Sequence, residues 1–583
     1  MAVDNIITDH IDVWTSAIKT RSSAGRGISK KFDLYGIKKL RELILELAMR
    51  GKLVYQNPND EPASELLKRI VVAKEEQVKD GKIKKQKKLP EIDREEEPYD
   101  LPKRWLWVRL GVVTNYGQCD KTEPKDASPD TWVLELEDVE KETSKLLQKK
   151  RFLDREFKSS KNVFVKGDVI YGKLRPYLDK VLVADEAGVC TTEMIPLRAY
   201  KEIIPEFLRL SMKSPKFKEY ANNSTHGMSL PRMGTDKAKL ALIPLCTLQE
   251  QHRIVAKVDE LMALCDQLES QTEASIDAHK TLVEVLLVTL TNAKDADELN
   301  DSWQRISQYF DVLFTTQASI DQLKQTILQL AVMGKLVKQD PTDEPASKLL
   351  ARIAIEKSQL IKDGKIKKQK PLPSITDEEK PFELPDSWEW VSFGLLFKSF
   401  SNGLYKPAKF YTEQGIISLR MYNIQSGKID FSGAKKVEVT FVELEQFRLE
   451  QDDLLINRVN SKELVGKTAI IPQISEPLVY ESMNMRAKPY KTHLSAKYLN
   501  LFMMTKMAQD AISLFAKEAV GQASINQGQV SSIKTTLPPL VEQHRIVSKV
   551  DELMALCDSL KANLKEAQTT QLDLTDAIVE QAL

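Results

Sequence analysis

Motifs that support catalysis on nucleotides are missing from this 583-residue sequence. It contains no Gly-x-x-x-x-Gly-Lys phosphate loop and no Gly-x-Gly-x-x-Gly fingerprint, which excludes the usual binding sites for ATP and dinucleotides. An adenine methyltransferase would also need an Asn/Asp-Pro-Pro-aromatic loop, and the sequence has none. We therefore predict no catalytic residues in this chain.

Histidine and cysteine are scarce as well. The six histidines show no metal-ligand spacing, so the sequence predicts no metal site. The five cysteines include no Cys-x-x-Cys pair, which is typical of a reducing cytoplasm. His252 and His544 repeat within Gln-His-Arg-Ile-Val at the start of predicted long helices. For these two, a polar helix-end role or a partner contact is favoured over general base catalysis.

Neither sign of charge dominates, because 85 basic and 84 acidic residues leave a formal charge of +1. No global positive field can hold the chain on nucleic acid, so such a surface must be a local patch. No apolar run reaches the length of a membrane span, and the N-terminal residues do not form a signal peptide. We expect a cytoplasmic protein that does not contact a membrane.

The sequence contains a long internal repeat. Residues 37–111 recur at 320–394, 283 positions later, without an insertion. A second block that begins at Glu250 recurs from Glu542, 292 positions later. The repeated strings are GKLV, DEPAS, KDGKIKKQK, LPxxWxWV and EQHRIVxKVDELMALCD. The repeat predicts two copies of one plan, namely a helix, a basic loop, a middle region and a long helix.

The repeated blocks have helical periodicity. Apolar residues in 37–47 and 320–330 are spaced 3-4-3, and the pattern ends at Gly51 and Gly334 in the helix-stop position. Apolar residues of the later block occupy heptad a and d positions. This seam comprises Ile254, Val258, Leu261, Cys265, Leu268, Ile546, Val550, Leu553, Cys557, Leu560, Leu564, Ala567, Leu574 and Ile578. We predict that the two long helices form an antiparallel coiled coil with pseudo-twofold symmetry; ordinary core or oligomer packing is the alternative.

The two middle regions have diverged. Residues 110–245 and 393–540 share few identities, although a shift of 285 positions aligns Asp138 with Asn423. Short β-like runs followed by helical runs predict an α/β or α+β domain of about 140 residues in each region. The predicted division of this α+β chain is 1–103 (N-terminal helical region with basic loop), 104–246 (first middle domain), 247–386 (central repeated region), 387–539 (second middle domain) and 540–583 (C-terminal long helix).

Both middle regions interleave basic residues with aromatic and small polar ones. Lys and Arg suit phosphates and guanine edges, whereas Asn and Gln suit adenine edges. The candidates in the first region are Lys121, Lys125, Lys173, Arg175, Tyr177, Lys180, His226 and Arg232. Those in the second region are Tyr405, Lys406, Lys409, Arg420, Tyr422, Asn423, Arg458, Asn460, Lys462, Lys467, Gln522, Ser524, Asn526 and Gln527. Each alone could be a solvated surface residue, but two sets on diverged copies predict two DNA sequence readers.

Two charged segments have weaker interpretations. The Lys-rich loop at 82–88, repeated at 365–370, could contact phosphates, but acidic residues follow at once and a solvated linker is equally expected. An acidic cluster around Glu135 could be read as a nuclease site. It does not repeat, because Arg420 and Tyr422 stand at the matching positions. We therefore do not predict a nuclease.

Together the repeated motifs resemble the specificity subunit of type I restriction-modification systems. The resemblance spans essentially the whole chain and includes the N-terminal string IDVWTSAIKTRSSAGRG, which is similar to the subgroup called type IB. It implies two target-recognition domains, each reading one half of a split, asymmetric sequence in double-stranded DNA, with the coiled coil fixing the gap. It also implies a DNA-facing role for Lys173, Arg175 and Arg458. Asp452 stands where the first copy has Gly167.

The resemblance also implies partners. Two methyltransferase subunits would bind the repeated regions, and restriction/translocase subunits would join them. S-adenosylmethionine, ATP and Mg2+ would belong to these partners, and this chain would hold no cofactor. Two rival functions remain open from the residues alone. One is a two-domain protein-binding adaptor with a coiled-coil spacer, and the other is a stand-alone DNA methyltransferase or nuclease, which the missing motifs disfavour.

Overall fold

The structure, a computed structural model, describes residues 3–20, 32–81, 83–200, 202–227, 229–293, 296–368, 370–519 and 521–583. Lys82 of the Lys-rich loop and part of the N-terminal string lie outside these ranges. The chain forms two compact units. Unit 1 comprises Met1–Ser275 with Ala567–Leu583, and unit 2 comprises Ile276–Glu566. Within the described ranges, no helix combines the length and apolar character needed to cross a membrane.

Unit 1 combines helices with short strands. Its helices are α1 (Val3–Thr8), α2 (Ile11–Ser16), α3 (Tyr35–Met49), α4 (Ala63–Lys79), α5 (Leu110–Val113), α6 (Pro205–Lys213), α7 (Pro215–Asn223), α8 (Thr235–Leu240) and the first part of α9 (Leu248–Asn292). Its strands are β1 (Lys19–Thr20), β2 (Phe32–Asp33), β3 (Leu106–Arg109), β4 (Lys121–Thr122), β5 (Trp132–Leu134), β6 (Lys150–Arg151), β7 (Lys161–Phe164), β8 (Val169–Gly172), β9 (Val181–Val183), β10 (Gly188–Cys190), β11 (Met194–Leu197), β12 (Thr225–His226), β13 (Arg232–Met233) and β14 (Leu242–Leu245). The larger sheets have the orders β4-β7-β10-β5-β6 and β11-β8-β9.

Unit 2 repeats this plan. Its helices after α9 are α10 (Ala296–Ser307), α11 (Phe310–Leu313), α12 (Gln317–Val332), α13 (Ala346–Lys362), α14 (Phe441–Phe447), α15 (Ala496–Met504), α16 (Lys506–Phe515), α17 (Gln527–Ser531) and the first part of α18 (Leu540–Ala582). Its strands are β15 (Glu389–Ser392), β16 (Phe397–Asn402), β17 (Tyr411–Leu419), β18 (Ile424–Gln425), β19 (Lys428–Ile429), β20 (Lys435–Val437), β21 (Leu454–Asn457), β22 (Val459–Asn460), β23 (Thr468–Ile470), β24 (Leu478–Tyr480), β25 (Asn484–Pro489), β26 (Lys517–Ala519), β27 (Gln522–Ser524) and β28 (Lys534–Leu537). The larger sheets have the orders β16-β25-β21-β23 and β20-β17-β24.

Matching strands pair in the same way in both units. β3 pairs antiparallel with β14 in unit 1, and β15 pairs antiparallel with β28 in unit 2. β5 and β10 are parallel neighbours, as are β17 and β24. A shared fold therefore underlies the two diverged middle regions, and the predicted α+β class is confirmed.

One central strand separates two small cores in each middle region. In unit 1, Val169 and Tyr171 of β8 pack with the residues of α6 and α7, whereas Ile170 points to the other face and packs with Trp132 of β5. In unit 2, Leu454 and Leu455 of β21 divide between two cores in the same way. The alternation follows from the two-residue period of a strand. This alternation determines which side chains of the central strand face each core.

Contacts inside unit 1 give the directions of the long helices. The Tyr35 hydroxyl at the start of α3 donates to Asp576, and Arg50 just after α3 donates to Leu583 O. α3 therefore runs parallel to the end of α18. Arg41 of α3 pairs with Asp266 at 2.7 Å, while the loop after α3 reaches the start of α9. α3 is thus antiparallel to α9, and the two long helices are antiparallel to each other.

Unit 2 shows the same arrangement around α12. Lys561 of α18 pairs with Asp321 near the start of α12. Gln339, beyond the end of α12, donates to Glu542 at the start of α18. Lys335 also lies beyond α12, and it donates to Thr291 O at the end of α9 at 2.8 Å. The predicted antiparallel arrangement is confirmed within each unit, with a short repeated helix packed beside the two long ones.

The predicted heptad seam is correct over most of its length but wrong at two positions of α18. Ile546, Val550, Leu553 and Cys557 are buried, as are all five seam residues predicted in α9. Ala567 and Leu574 are exposed, whereas Thr575 and Ile578 are buried. The seam advances by four residues twice in succession, from Leu560 to Leu564 and on to Gln568. Such a step moves the packing stripe around the helix.

The shift in α18 has a counterpart in α9. There the less exposed residues run from Leu268 through Thr272 and Ile276 to His279, again with two four-residue steps. Both steps lie where the helix passes from one compact unit to the other. The packing partner then changes from one short repeated helix to the other, which a strict heptad extrapolation does not anticipate.

Unit 1 contains a buried polar cluster at the start of α9. The Trp105 indole donates to Glu250 Oε2 at 2.9 Å, and the Gln56 amide donates to the other carboxylate oxygen. The next residue, Gln251, accepts a hydrogen bond from the Ile204 backbone N–H ahead of α6 at 2.9 Å. We call Glu250 with Trp105 and Gln56 a glutamate node. It ties the long helix to the loop after α3 and to the segment leading into β3.

Unit 2 repeats the glutamate node with its own residues. Trp388 donates to Glu542 Oε2 at 2.9 Å, and Gln339 donates to Oε1 at 2.6 Å. Gln543 accepts from the Ser495 N–H ahead of α15 at 2.8 Å. The repeated Glu-Gln pair is therefore structural, while the next residue in each copy, a histidine, is exposed.

The glutamate node predicts a pH-dependent stability. Burial raises the pKa of the Glu250 carboxyl, and the hydrogen bonds from Trp105 and Gln56 oppose the shift. The folded protein thus keeps this proton to higher pH than the unfolded chain does, so this group's contribution to stability falls as pH rises above the unfolded value of about 4.3. Glu250→Gln removes this titration. The free energy of unfolding of the variant, relative to the wild type, should therefore increase from about pH 4 to about pH 7.

Urea unfolding of both proteins at both pH values measures this difference. Glu542→Gln should behave alike, because burial also raises the pKa of the Glu542 carboxyl. Glu250→Ala is the matched disruptive variant. It leaves the Trp105 indole without an acceptor and should destabilise the protein by about 1–3 kcal/mol. A difference between Glu250→Gln and wild type that stays constant with pH would contradict the account.

Candidate nucleic-acid interface

In unit 1, the segment that leaves β8 lies against the hairpin β12–β13. Leu174 and Arg232 form an antiparallel bridge, which joins the two segments. We call residues 173–177, 225–227 and 229–233 reader 1. The residues that directly follow the central strand β8 thus lie on the same surface as the hairpin, and several of them are predicted site residues.

Arg175 is held in a strained backbone conformation on reader 1. Its φ of 52° lies in the left-handed region, and its N–H donates to Pro231 O at 2.7 Å. A non-glycine residue there costs on the order of 1 kcal/mol and persists only where its surroundings hold it. The Arg175 side chain is exposed, and the neighbouring Tyr177 side chain is 51% exposed. Both can reach a ligand on this surface.

Further cations lie beside this segment. Lys173 is half-buried, and its N–H donates to Glu193 O at 3.0 Å. The Glu193 carboxylate pairs with Arg232 at 3.0 Å. Lys121 and Lys173 both lie close enough to Cys119 to oppose the burial that raises the pKa of its thiol. The structure therefore brings Lys121, Lys173, Arg175 and Arg232 to one region.

The remaining candidates of the first region differ in position. Lys125 is exposed on the short turn Pro124–Asp126 after β4. His226 belongs to β12, but its side chain is outside what the structure describes. Lys180 turns inward and donates to Leu136 O at 2.6 Å, and burial lowers the pKa of its ammonium group. We correct the assignment of Lys180, because its ammonium group binds the fold rather than facing outward.

Unit 2 builds an equivalent surface after β21. The next strand, β22, pairs with β27, which in turn pairs with β26. We call residues 458–462, 517–519 and 521–526 reader 2. Here too the segment leaving the central strand lies against a hairpin that follows the second helix of the middle region.

The side chains of reader 2 are partly engaged. Arg458 donates through Nη1 to Ser482 O at 3.1 Å, which leaves other guanidinium donors for a ligand. Lys462 is exposed and pairs with Glu518 at 2.6 Å. The half-buried Asn460 amide donates to Asn457 Oδ1 at the end of β21 at 2.9 Å. Arg458, Lys462 and the exposed Lys517 of β26 are therefore the cations of this surface.

Polar residues without charge complete reader 2. Gln522 is exposed and Ser524 half-buried on β27. Asn526 is exposed and caps α17 by accepting the Gln529 N–H at 3.0 Å. Lys467 lies outside reader 2, half-buried just before β23. The amide and hydroxyl groups of this surface can read base edges.

A second group of candidates follows β16. Tyr405 is 77% exposed, and Lys409 is exposed beside the Phe410 ring. Lys406 is largely covered, because its ammonium pairs with Glu443 at 2.8 Å and lies 4.6 Å from the Phe410 ring centroid. Tyr405 and Lys409 are therefore the accessible members of this group.

Arg420 and Tyr422 lie on the turn that follows β17. The Arg420 guanidinium lies 4.6 Å from the centroid of the Tyr411 ring and 3.4 Å from the Glu481 carboxylate. Tyr422 is 40% exposed, and its hydroxyl donates to Gly433 O at 3.1 Å. Both side chains are partly committed to the fold.

The assignment of Asn423 to DNA binding is corrected by its burial. Its side chain is fully covered, and the amide donates to Asp430 O at 2.8 Å while Oδ1 accepts the Arg420 N–H at 2.9 Å. The aligned Asp138 of the first copy accepts the Glu135 N–H at 2.8 Å in the same turn. Both residues stabilise this turn and cannot reach a ligand in this structure.

Readers 1 and 2 correspond position by position. A shift of 285 places Lys173 on Arg458 and Arg175 on Asn460, and in both units this segment bonds to the hairpin. The frame is thus shared, but the side chains that it presents differ in kind.

The turn before the central strand is also retained. Gly167 has a φ of 88°, and Asp452 has a φ of 66° at the matching position. Asp168 and Asp453 then each accept a backbone N–H three residues earlier, at 2.9 and 3.0 Å. The replacement of glycine by aspartate therefore leaves the local turn unchanged.

Sequence reasoning missed some residues of these surfaces. Leu230 is 43% exposed on the hairpin of reader 1. Glu193 and Glu518 pair with Arg232 and Lys462 from outside the basic runs. Leu230 precedes a proline in a turn-rich segment, and this signal could have suggested an exposed loop tip. Nothing in the sequence indicated the two carboxylates, because tertiary contacts create these pairs.

These surfaces suit a polyanion with readable edges. They combine guanidinium and ammonium groups with amides, hydroxyls and exposed aromatic rings, which are the groups that bind phosphates and base edges. In the part of the chain that the structure describes, no cluster of three or more His, Cys, Asp or Glu side chains could hold a metal ion. The arrangement supports recognition of nucleic acid.

Comparison with known proteins agrees with this arrangement. The family model of the type I restriction modification DNA specificity domain matches residues 385–568. The chain is 43% identical over 603 residues to the type I restriction enzyme EcoAI specificity subunit of Escherichia coli and 41% identical over 598 residues to the EcoEI specificity subunit. Both alignments cover 100% of this chain and 100% of the relative. A solved chain from a study of complex assembly and conformational transition of the type I R-M system has a TM-score of 0.53 at 20% identity, covering 83% of this chain and 99% of that one.

Proposed function

Because this chain belongs to the specificity subunits of type I restriction-modification systems, we propose that its two readers each recognise one half of a split, asymmetric DNA sequence. The relatives and the family model confirm the resemblance seen in the motifs. The chain is therefore a non-catalytic subunit. Two diverged readers on one repeated frame carry the proposal. Unlike side chains at matching positions, such as Arg175 and Asn460, favour unlike half-sites.

The proposed contacts are the candidates that remain when Lys180 and Asn423 are removed. Reader 1 supplies Lys173, Arg175, Tyr177, His226 and Arg232, with Lys121 and Lys125 beside it. Reader 2 supplies Arg458, Asn460, Lys462, Gln522, Ser524 and Asn526, with Tyr405, Lys406, Lys409, Arg420, Tyr422 and Lys467 on the same middle domain. We retain 104–246 and 387–539 as the two target-recognition domains. Cations would bind phosphates and guanine edges, while amides would read adenine.

The long helices would set the gap between the half-sites. α9 has 45 residues and α18 has 43, which corresponds to about 65 Å each at 1.5 Å per residue. The two long helices are antiparallel inside each unit, and pseudo-twofold symmetry requires this arrangement. A protein built in this way would measure DNA as well as read it.

Partner subunits would supply the chemistry. We propose that two methyltransferase subunits bind the two repeated surfaces, where His252 and His544 are exposed at matching positions. Restriction/translocase subunits would complete the assembly in the cytoplasm. S-adenosylmethionine, ATP and Mg2+ would be bound by those partners. The match to a DNA specificity domain favours this function over the adaptor alternative.

Mapping the sequence methylated by the assembled complex tests the proposal directly. The expected motif has two unlike specific segments separated by a gap of constant length. Methylation-sensitive sequencing of DNA exposed to the complex reads it out. A continuous or palindromic motif would contradict the two-reader proposal, and an absence of sequence preference would support the adaptor.

Matched substitutions test whether the readers act independently. Lys173→Ala should weaken discrimination at one half-site by about 1–3 kcal/mol, and Arg458→Ala should do so at the other half-site. Competition binding with duplexes altered in one half-site at a time measures both effects. Lys348, exposed on α13, provides a control alanine variant with unchanged discrimination. Equal losses at both half-sites from either reader variant would show that the readers are coupled.

Helix length tests the measuring role. Four helix-forming residues inserted after Ser275 and after the matching Ala567 should lengthen both helices by about 6 Å. The tolerated gap should then grow by about two base pairs, at about 3.4 Å each. Motif mapping measures the gap. The same insertion after Gly433, an exposed turn with open space around it, is the control. A folded double-insertion variant with an unchanged gap would mean that the helices do not set spacing.

A further inference from the structure

The repeated Lys-rich loops are anchored to the fold rather than free. The loop of unit 1 follows α4, and Ile83 packs against the core of that unit. Gln86 accepts a hydrogen bond at 3.1 Å from Lys74, whose ammonium also donates to Gly111 O at 2.9 Å. The exposed side chains next to these anchors are Lys84, Lys85, Lys87 and Lys88. The loop backbone therefore has a defined path while its charges face outward.

In unit 1 this path leads to the segment beside reader 1. The Gln118 amide donates to Lys84 O at 3.2 Å. Gln118 lies three residues before Lys121, one of the cations placed near reader 1. The loop thus extends the basic region that includes Lys121 and Lys173.

In unit 2 the matching loop lies beside reader 2. Lys365, Lys367 and Lys370 line an open cavity of about 550 Å³ together with Gln527. Gln527 follows Asn526 of reader 2 and donates to Asn402 at 3.2 Å. Lys368 is exposed but does not line this cavity. Two independently diverged middle domains therefore place the same basic loop next to their readers.

One acidic residue after each loop pairs with a cation elsewhere in the fold. Glu96 pairs with Arg109 at 2.7 Å in unit 1, and Glu379 pairs with Lys534 in unit 2. Of the loop lysines that the structure describes, only Lys365 pairs with a carboxylate. Direct pairing with a carboxylate therefore involves only Lys365 among the described loop lysines, which weakens the interpretation as a solvated linker.

We propose that each Lys-rich loop binds the phosphate backbone of duplex DNA next to its reader, through Lys84 and Lys87 in unit 1 and through Lys367 and Lys370 in unit 2. The inference rests on the proposed function, because DNA must lie on the readers for the loops to meet it. Phosphate contacts carry no sequence information and instead fix position and add affinity. The loops would thus hold the DNA in register on readers that differ in specificity.

Paired alanine variants test the proposal in the assembled complex. Lys84→Ala/Lys87→Ala and Lys367→Ala/Lys370→Ala remove the proposed contacts, while Lys85→Ala and Lys368→Ala are controls one residue away. Fluorescence anisotropy measures affinity for the target duplex and for a scrambled duplex at 50 and 200 mM salt. One phosphate contact accounts for about 3.5-fold in affinity over this range. Raising the salt from 50 to 200 mM lowers the affinity of every variant. The fall for each double variant should be about 12-fold smaller than the fall for the wild type.

Both duplexes should show this change, and the methylated sequence should stay the same. The inference would be overturned if both double variants kept the affinity and the salt dependence of the wild type. If they still preferred the target duplex over the scrambled one, that result would continue to support the readers. Loss of that preference in the wild-type complex would instead defeat the proposed function. If a double variant releases the partner subunits on gel filtration while the free chain binds DNA as before, the loops dock a protein and the inference is wrong.

Discussion

The glutamate node is the constraint on which the rest of each unit depends. A buried carboxylate at the start of a long helix accepts hydrogen bonds from a tryptophan and a glutamine that belong to different parts of the chain. Since burying an unpaired carboxylate is costly, the carboxylate is stable in this position only when the other two elements supply its hydrogen bonds. The adjacent Gln251 and Gln543 then bind the segment ahead of α6 or α15. Two consecutive residues thus orient a middle domain on its helix.

This arrangement separates positioning from recognition. The residues that orient each domain are identical in the two copies, whereas the residues at the strand end differ, with Lys173 matched by Arg458 and Arg175 by Asn460. A substitution at Lys173, Arg175 or their counterparts leaves the glutamate node intact, because none of these residues takes part in the hydrogen bonds of the node. The two readers can therefore change specificity independently while their placement within each unit is preserved.

The sequence predicted the frame well because its periodicity reflects local packing. Ile254, Val258 and Leu261 are buried as the heptad pattern indicates. The prediction fails where the partner of a helix changes, as at Leu574, since a heptad pattern assumes one constant partner. For the candidate site, composition indicated segments but not the roles of individual residues. Asn423 is a buried turn residue and Lys180 binds a carbonyl group, and only tertiary contacts distinguish these from surface groups.

The carboxylates beside the readers bear on how a nearly neutral protein can be selective. Glu193 and Glu518 pair with Arg232 and Lys462 at partly exposed positions. Such pairs contribute at most about 1 kcal/mol, so DNA can replace them at little cost. A carboxylate released in this way repels phosphates but can accept a hydrogen bond from cytosine N4. Under the proposed function, non-specific DNA would therefore meet repulsion that the correct sequence would relieve, and the phosphate affinity would come from neighbouring cations without carboxylate partners.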